Sequence, residues 1–477
     1  DGGQWRHIFR LEKDNAMANK VKSVWFCTSC GNESPKWMGR CPACGEWNTM
    51  VEENVSPPSG LSPFSGVPSK AQPLPLTEIE NCEEERIVLG LDEFDRVLGG
   101  GLVKGSLVLI GGEPGIGKST LSLQIPLACS HLKTLYVSGE ESARQIKLRG
   151  DRLAAVLPES ESASAGSNCY VLPEILLENI LEKAKSAGAE LLIIDSIQTI
   201  CSQRIEASAG SISQIRECAA SLLRFAKESG IPVIIIGHIT KDGVIAGPKI
   251  LEHIVDVVLQ FEGDARNSYR IVRSIKNRFG STAELAVYRM TDSGLKEVVN
   301  PSEMFMPMHE KDLSGIAVAA MLDGTRPFLI EVQSLVSSAA YGMPQRSATG
   351  FDVRRMNMLL AVLEKRVGFK LSQKDVFLNI AGGMKITDPA CDLAVVAAIL
   401  SSNFDMEIPE KSAFAAEVGL SGEIRPVSQI ERRIAEAAKL GFERVYISSF
   451  CTIASAVEKE IEVVKLSNIR EIAKELF

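Results

Sequence analysis

The chain has 477 residues, of which 45% are hydrophobic and 23% are charged, and its formal net charge is −8 at pH 7. At about 100–200 residues per domain, this length predicts two to four domains. The composition excludes a wholly disordered, collagen-like or coiled-coil protein. The negative charge excludes a uniformly basic nucleic-acid binder, although it permits a local basic groove. No apolar run approaches the roughly 18–20 residues of a membrane span, so we expect no membrane partner.

The cysteines and the N-terminus bear on the cellular compartment. Seven of the eleven cysteines are scattered along the chain, and a disulfide scaffold is unusual in a protein of this size. We expect these seven to be reduced core residues and predict a cytoplasmic protein. Asp1–Lys20 lacks the apolar stretch of a secretory signal. Met17 precedes the basic stretch Ala18–Lys22, and our hypothesis is that residues 1–16 are an upstream extension.

The first chemical motif is a doubled Cys-x-x-Cys pattern near the N-terminus. Its four cysteines are Cys27, Cys30, Cys41 and Cys44. Each pair can place two thiolates on one metal ion from a tight turn, and Gly31 and Gly45 follow the pairs at positions that often need a positive φ. Four sulfur ligands form the closed tetrahedral Zn²⁺ site of structural zinc proteins. The pattern therefore predicts a metal-dependent zinc finger rather than free or redox-active thiols.

Three other residues of this finger allow two interpretations. Trp37, Arg40 and Trp47 can form an exposed surface that contacts single-stranded nucleic acid or protein. Alternatively, the two indole rings pack against the zinc-binding turns. The sequence does not decide between these interpretations.

Beyond a Pro- and Ser-rich stretch at Ser56–Pro75, typical of a semi-stiff linker, apolar runs alternate with helical stretches up to about Val299. The predicted strands are Leu107–Ile110, Thr134–Val137, Leu191–Ile194, Val233–Ile236, Val257–Phe261 and Tyr269–Ser274. This alternation predicts an α/β domain whose mainly parallel sheet is covered by helices.

The segment after the first of these strands matches the phosphate-binding pattern G-x-x-x-x-G-K-[ST]. It consists of Gly112, Glu113, Pro114, Gly115, Ile116, Gly117, Lys118, Ser119 and Thr120. The glycines let backbone N–H groups close around phosphates, and the helix predicted at Ser119–Ser130 adds the positive end of its dipole. We expect this P-loop to bind ATP, with Lys118 at the β- and γ-phosphates and Ser119 on Mg²⁺.

Polar residues at the ends of other predicted strands complete a hydrolytic site. Asp195 ends a buried apolar run and is expected to hold the Mg²⁺ shell with Ser119. Glu140 and Glu141 follow the strand after the P-loop helix. We choose Glu140 to polarise the attacking water because it is nearer the strand end, the alternative being two solvated loop acids.

A further strand end carries a candidate sensor of the γ-phosphate. His238 and Thr240 follow the predicted strand Val233–Ile236, where a polar residue can detect the γ-phosphate and signal to the next loop. The alternative for both is a polar residue whose hydrogen bonds are already satisfied.

The order and spacing of these motifs resemble the RecA-type ATPase core. The zinc finger before the core, and Lys276-Asn-Arg-Phe-Gly280 after it, are characteristic of the bacterial RadA family, also called Sms. The resemblance extends from about Val24 to Phe477. We divide the chain into an N-terminal extension (1–23), a C4 zinc finger (24–51), a Pro/Ser-rich linker (52–85), a RecA-like P-loop ATPase domain (86–299) and a C-terminal α+β domain (300–477).

The resemblance also assigns roles to basic residues. In RecA-type rings ATP lies between subunits, which implies that Lys276 and Arg278 neutralise phosphoryl charge in a neighbour's site. The residues alone are equally consistent with a solvated basic turn.

The family further implies that two loops, Cys201–Ser213 and Lys241–Lys249, face DNA. Their candidate DNA contacts are Arg204, Lys241 and Lys249. Small-residue loops with a few cations suit a phosphate backbone, and the alternative for each is an ordinary mobile loop.

The C-terminal segment Gly315–Phe477 resembles the proteolytic domain of Lon. The likeness lies in Asp375–Gly383, Asp388–Asp392 and Gly422–Gly441. Active Lon proteases use a Ser/Lys dyad. Here Ala390 occupies the serine position and Glu431 the expected lysine position, and the neighbouring thiol Cys391 would need a base.

This domain is therefore expected to be a non-proteolytic, ring-forming scaffold. Its predicted strands are Gly315–Met321, Phe328–Val336 and Val376–Ala381, and its predicted helices are Asp352–Arg366, Asp388–Ser401 and Gln429–Leu440. Basic residues of the first helix, including Arg354 and Arg355, form either a DNA-contacting surface or a solvated helix face.

With the resemblance, the sequence predicts a DNA-dependent ATPase that assembles as a hexameric ring and moves along single-stranded DNA to process branched recombination intermediates. Zn²⁺, Mg²⁺ and ATP are the expected cofactors and substrate. DNA, further copies of the chain and a recombinase are the expected partners. Two alternatives remain: an ATP-dependent protease, against which the missing dyad argues, and a nucleotide-switch ring that does not translocate.

Overall fold

The computed structural model describes residues 22–28, 31–55, 85–155, 165–238, 249–263, 269–302, 306, 313–339, 344–381, 384–454 and 461–477. For residues 22, 23, 53–55, 249 and 250 only the backbone is described. Among the predicted site residues, Cys30, Thr240 and Lys241 lie outside the described residues. The chain divides into two compact units, Asp1–Glu297 and Val298–Phe477. None of the helices in the described part is long and apolar enough to cross a membrane.

The zinc-finger segment is a small antiparallel sheet with two matching turns. Its strands are β1 (Lys22–Cys27), β2 (Glu33–Ser34) and β3 (Met50–Val55), in the order β2-β1-β3. In each turn a glycine N–H donates to a cysteine carbonyl, from Gly31 to Cys27 at 2.8 Å and from Gly45 to Cys41 at 2.9 Å. Both glycines have positive φ, at 69° and 77°, as the sequence predicts.

The ATPase unit is built on a nine-stranded sheet in the order β14-β13-β12-β11-β6-β10-β9-β7-β8. A short hairpin, β4 (Arg86–Ile87) with β5 (Leu102–Val103), precedes it. The strands of the sheet are β6 (Leu107–Gly112), β7 (Thr134–Ser138), β8 (Cys169–Pro173), β9 (Leu191–Asp195), β10 (Val233–His238), β11 (Val257–Glu262), β12 (Tyr269–Asn277), β13 (Leu285–Thr291) and β14 (Gly294–Glu297). Strands β6 to β11 run parallel, and β12 to β14 extend the sheet antiparallel.

All six predicted strands of this sheet are present, which confirms the α/β prediction. The edge strand β8 and the β13–β14 hairpin were not predicted. Residues of β8 are only partly buried, so it lacks the continuous apolar run that marks a central parallel strand.

Helices cover both faces of the ATPase sheet and create two hydrophobic cores. They are α1 (Asp92–Leu98), α2 (Lys118–Ala128), α3 (Ala143–Ala154), α4 (Leu177–Ser186), α5 (Ile212–Ser229) and α6 (Lys249–Ile254). Side chains of β6 alternate between the cores, with Val108 and Ile110 in one and Leu107 and Leu109 in the other. This alternation buries the central strand on both faces. Its last residue, Gly112, is the first residue of the P-loop.

The C-terminal unit contains a mixed seven-stranded sheet in the order β17-β18-β16-β15-β19-β22-β23. The strands of this unit are β15 (Ile316–Asp323), β16 (Arg326–Ser338), β17 (Arg346–Thr349), β18 (Lys374–Ile380), β19 (Ser412–Ala415), the hairpin β20 (Glu417–Val418) and β21 (Ile424–Arg425), β22 (Arg444–Ser448) and β23 (Glu462–Leu466). Its helices are α7 (Val353–Val362), α8 (Asp392–Phe404), α9 (Ile430–Lys439) and α10 (Ile469–Leu476).

Two predicted helices of this unit are each divided. The helix predicted at Asp352–Arg366 is α7 followed by a π-helical turn at Leu363–Val367. The helix predicted at Asp388–Ser401 begins with a 3₁₀ turn at Pro389–Cys391 before α8. Asp388 caps that turn, because its side chain accepts the Ala390 N–H.

Two arginines of the C-terminal unit form ion pairs with the aspartates on either side of the 3₁₀ turn. Arg355 donates to both oxygens of Asp392, at 2.6 and 2.5 Å, and Asp392 is fully buried. Burial raises the pKa of Asp392, and the guanidinium opposes that shift. Arg433, itself buried, donates to Asp388 at 2.6 Å and to the Ala320 carbonyl at 2.9 Å. Arg355 is therefore an internal ion-pair partner, which argues against the prediction that it belongs to a DNA-contacting or solvated helix face.

Replacing Arg355 with alanine should destabilise the C-terminal unit by about 3 kcal/mol, because Asp392 would stay buried without its partner. Hydrogen–deuterium exchange of α8 in the full chain measures this effect separately from the ATPase unit. Arg354→Ala is the matched control, since Arg354 is exposed on the same helix. Equal protection of α8 in both variants would contradict the role of the pair.

Candidate active site and metal centre

The zinc centre is assembled from the two cysteine turns. The Sγ atoms of Cys27, Cys41 and Cys44 all lie within 4.8 Å of one another, and those of Cys27 and Cys44 are 3.7 Å apart. Sulfurs at about 2.3 Å from one tetrahedral zinc ion are about 3.8 Å apart, so these thiols fit a shared ion. Cys30, the fourth predicted ligand, lies outside the described residues.

The tryptophans of the zinc finger differ in burial. Trp25 packs against the cluster formed by Cys27, Cys41 and Met50. Trp37 and Trp47 are 53% and 70% exposed. Both of these indoles lie beside Gly39, within 4 Å of the position that a Cβ atom there would take. The exposure of Trp37 and Trp47 favours a contact surface over packing against the turns.

The P-loop connects β6 to α2 and is already folded around the lysine side chain. Lys118 is 3% exposed, and its Nζ donates to the carbonyls of Gly112 at 2.7 Å and Glu113 at 2.8 Å. Gly117 has a φ of 118°, and a Cβ there would lie 2.9 Å from Met290 Cε. Only glycine combines this backbone conformation with such close packing.

Burial lowers the pKa of Lys118 to about 8, against the opposing effect of Asp195, Glu140 and Glu113. A buried ammonium group that carbonyl dipoles hold in place is a strong site for an anion. The arrangement fits the phosphates of a nucleotide, whose charge would stabilise the protonated lysine.

Oxygen ligands suited to Mg²⁺ meet next to this lysine. Asp195 ends β9, is 7% exposed and hydrogen-bonds Ser119. The buried Tyr136 hydroxyl donates to Asp195 Oδ2 at 2.8 Å. Burial raises the pKa of Asp195, and the two hydrogen bonds counteract that shift. A hard divalent cation prefers a hydroxyl and a carboxylate placed together in this way.

The two adjacent glutamates after β7 have different surroundings. Glu140 Oε1 accepts the Ser196 hydroxyl at 2.8 Å and lies 3.7 Å from His238 Nε2. Glu141 forms an ion pair with Arg149 of α3. Glu140 therefore interacts electrostatically with Lys118, whereas Glu141 is held in an ion pair with Arg149.

His238 ends β10 directly beside the P-loop, in register with Gly112. Its Nδ1 is buried without a hydrogen-bond partner among the described residues. This orphaned nitrogen disfavours the alternative that His238 is a fully satisfied polar residue.

Lys276 and Arg278 lie towards the opposite ends of the strands from the P-loop. Lys276 Nζ donates to the carbonyls of Glu252 at 2.5 Å and Val255 at 2.7 Å, at the end of α6. Arg278 is half exposed and donates to the buried Asp256 at 3.3 Å. Burial is the main cause that lowers the pKa of Lys276, and the positive charge of the neighbouring Arg278 lowers it further.

The predicted DNA loops are described only in part. Arg204 is exposed in the loop after β9, with its Nη1 3.6 Å from Glu217 Oε1. Lys249 is the first residue of α6, and its side chain is not described.

The positions of the Lon dyad hold no catalytic pair. Ala390 is buried in the 3₁₀ turn, and Glu431 accepts the Ala454 N–H at 2.8 Å. The Cys391 thiol is fully buried, which raises its pKa well above its ordinary value and makes it a poor nucleophile. The cations that reach this turn are Arg355 and Arg433, whose guanidinium groups cannot act as bases.

Sequence reasoning missed Tyr136, Ser196 and Asp256. Tyr136 lies inside a predicted strand, where an aromatic residue is normally read as core. Ser196 follows Asp195 directly, so the signal available was its position after a catalytic strand. Asp256 accepts the Leu107 N–H at 3.1 Å and also pairs with Lys227 and Arg278, which only the folded sheet brings together.

Replacing Cys41 with serine should reduce bound zinc from about one ion per chain to a small fraction, because a hydroxyl is a far weaker zinc ligand than a thiolate. Metal analysis by mass spectrometry after dialysis measures the loss. Cys451→Ser is the control, since that buried cysteine lies in the other unit. Unchanged zinc in the Cys41 variant would exclude this centre.

Nucleotide affinity should fall as the pH rises through about 8, because the phosphates need the protonated Lys118 and the free site loses that proton near this pH. Between pH 7 and pH 9 we expect ADP to bind about tenfold more weakly. Calorimetry with ADP in the presence of EDTA keeps metal binding out of the profile. Lys118→Arg, which stays charged, should give a flat profile, and a flat wild-type profile would contradict the assignment.

Family models match three parts of the chain. The model described as KaiC, an ATPase, matches residues 87–279. The rubredoxin metal binding domain matches residues 25–52, and subunit ChlI of Mg-chelatase matches residues 333–449. The first two matches coincide with the P-loop unit and with the cysteine cluster.

Among solved structures, a KaiC-like protein from Pyrococcus horikoshii OT3 is 22% identical, with a TM-score of 0.37 over 45% of this chain and 100% of that chain. The RadB recombinase is 23% identical, with a TM-score of 0.35 over 44% of this chain and 99% of that chain. These likenesses concern less than half of the chain, so the family assignment rests on sequence relatives.

Curated relatives match nearly the whole chain. The DNA repair protein RadA of Bacillus subtilis (strain 168) is 49% identical over 95% of this chain and 98% of the relative. RadA of Aquifex aeolicus (strain VF5) is 47% identical over 96% and 100% of the two chains. RadA of Chlamydia trachomatis serovar D is 44% identical over 96% and 98%. This chain therefore belongs to the RadA family of DNA repair proteins and is an ATPase with a RecA-like core.

Proposed function

We propose that this chain is a DNA-dependent ATPase of recombinational repair that assembles as a hexameric ring. It hydrolyses ATP at subunit interfaces, moves along single-stranded DNA and processes branched recombination intermediates. The observation that carries the proposal is the separation of Lys276 and Arg278 from the P-loop of their own chain.

The register of three strands defines this separation. Lys276 in β12 pairs with Val258 in β11, which pairs with Leu109 of β6, and the next residue, Asn277, pairs through Val257 with Val108. The P-loop leaves β6 at its other end, at Gly112. From Leu109 or Val108 to Gly112, three or four residues of strand span about 10–13 Å, and the phosphates would lie beyond that end. This separation supports our proposal that Lys276 and Arg278 act on another copy's nucleotide, as in a head-to-tail ring.

Within one subunit, the P-loop edge supplies the other catalytic groups. Lys118 binds the β- and γ-phosphates. Ser119 and Asp195 would hold Mg²⁺, which neutralises phosphate charge when it is bound. Glu140 orients the attacking water and accepts its proton, and the Ser196 hydroxyl holds the Glu140 carboxylate in position.

The DNA-facing loops begin at the same edge. Strands β9 and β10 run parallel to β6, so the loops that follow Asp195 and His238 leave the sheet beside the P-loop. This proximity lets DNA in the ring influence hydrolysis directly. We assign DNA contacts to Arg204, Lys241 and Lys249 in these loops.

The remaining domains supply assembly and recognition in this proposal. The C-terminal unit acts as the ring-forming scaffold, which is consistent with Ala390 and Glu431 at the dyad positions. The exposed Trp37 and Trp47 make the zinc finger the candidate contact for a recombinase.

Mixing two inactive variants should restore part of the ATPase activity. Lys118→Ala removes the phosphate-binding lysine, and Arg278→Ala removes the cation that acts on a neighbour. In mixed rings some interfaces combine an intact Lys118 with an intact Arg278, so we expect about a quarter of the wild-type rate at equal mixing, from random placement of the two subunits. The rate is measured as phosphate release at low salt.

The control mixes each variant with itself at the same total concentration. No recovery in the hetero-mixture would refute an active site shared between subunits. A wild-type rate that single-stranded DNA does not change would favour the nucleotide-switch ring instead.

A further inference from the structure

Two glutamines border the loop after β9, and their hydrogen bonding differs completely. Gln214, at the start of α5, accepts the Ser202 N–H at 2.9 Å and donates to the carbonyls of Ser202, Ile205 and Ala207 at 2.8–3.1 Å. Gln198 has both amide atoms, Nε2 and Oε1, buried without a partner among the described residues. Leaving a buried amide unpaired is costly, so such a group calls for a functional explanation.

The Gln198 amide lies beside the C-terminal end of β10, next to the strand that leads into the P-loop. Its Nε2 is 3.8 Å from the position that a Cβ on Gly237 would take. Gly237 is in register with Gly111, and the next residue, His238, is in register with Gly112. The His238 Nδ1 in the same region is also unpartnered. Two orphaned polar groups therefore flank the strand end that leads into the phosphate-binding loop.

The main chain around Gln198 connects this corner to the predicted DNA loop. The Gln198 carbonyl lies 3.2 Å from the Cβ position of Gly210, where the loop returns to α5. The next side chain, Thr199, fills the space above Gly139, with its Oγ1 2.2 Å from the Cβ position there. Gly139 directly precedes Glu140, so residues 198 and 199 lie against both the catalytic segment and, at Gly210, the returning end of the loop.

We propose that Gln198 is a positioning residue that couples the nucleotide state to the DNA-contacting loop. Its amide takes hydrogen-bond partners when the γ-phosphate and the attacking water are in place. The accompanying shift of residues 198–199 moves the loop against Gly210, and DNA bound to the loop acts back on Glu140 through Thr199 and Gly139. This inference rests on the proposed DNA-dependent ATPase function and names the residue through which DNA regulates it.

The test compares Gln198→Ala and Gln198→Met with Gln373→Ala in the full chain. Gln373 is an exposed glutamine of the C-terminal unit, outside the nucleotide site and the predicted DNA loops, and serves as the control. Two ratios are measured: the ATPase rate with and without an oligo-dT strand, and the affinity for that strand with a non-hydrolysable ATP analogue and with ADP. Both Gln198 variants should bring each ratio to within about twofold of one, while Gln373→Ala keeps the wild-type ratios.

Thermal stability separates coupling from a structural role. Methionine matches the size of glutamine and buries no polar group, so Gln198→Met should unfold at a higher temperature than the wild type while its two ratios collapse. A structural role predicts the opposite change in stability. Wild-type ratios in both Gln198 variants would overturn the inference alone. A wild-type protein that DNA does not stimulate would overturn the proposed function together with it.

Discussion

The parallel register of β6, β9 and β10 is the constraint on which the ATPase unit depends. Because these strands run side by side in one direction, their C-terminal ends bring Gly112, Asp195 and His238 to one edge of the sheet. The antiparallel strand β12 returns to the opposite edge and leaves Lys276 and Arg278 there. One sheet thus separates the P-loop residues from Lys276 and Arg278, and our proposal of a catalytic site shared between subunits depends on this separation.

Burial prepares the P-loop edge for its ligand. Lys118, Asp195 and Tyr136 are all withdrawn from water, and each is held by hydrogen bonds within the protein. The depressed pKa of Lys118 and the raised pKa of Asp195 show that both charged forms are disfavoured until opposite charge arrives. Binding of a metal–nucleotide complex would supply both opposite charges at once.

In the C-terminal unit, structural ion pairs occupy the region that the resemblance to Lon aligns with a protease dyad. Asp388 and Asp392 flank the 3₁₀ turn that carries Ala390, and Arg433 and Arg355 neutralise them. Arginine suits this role because its planar guanidinium keeps its charge and donates in two directions. Removing the arginine of such a pair would leave a carboxylate without its partner. The two pairs therefore link α7 and α9 to the 3₁₀ turn.

The sequence by itself determined the local chemistry. Glycine spacing specified the P-loop, the doubled cysteine pairs specified the zinc finger, and uninterrupted apolar runs specified the six predicted strands of the ATPase sheet, since backbone conformation and ligand spacing are local properties. Only the tertiary structure decided which polar groups meet. It paired Glu141 with Arg149 and left Glu140 accessible, it bound Arg355 to a buried carboxylate, and it left the Gln198 amide without a partner among the residues that the structure describes. These outcomes depend on strand order and helix packing across distant parts of the chain, and no local pattern of residues encodes them.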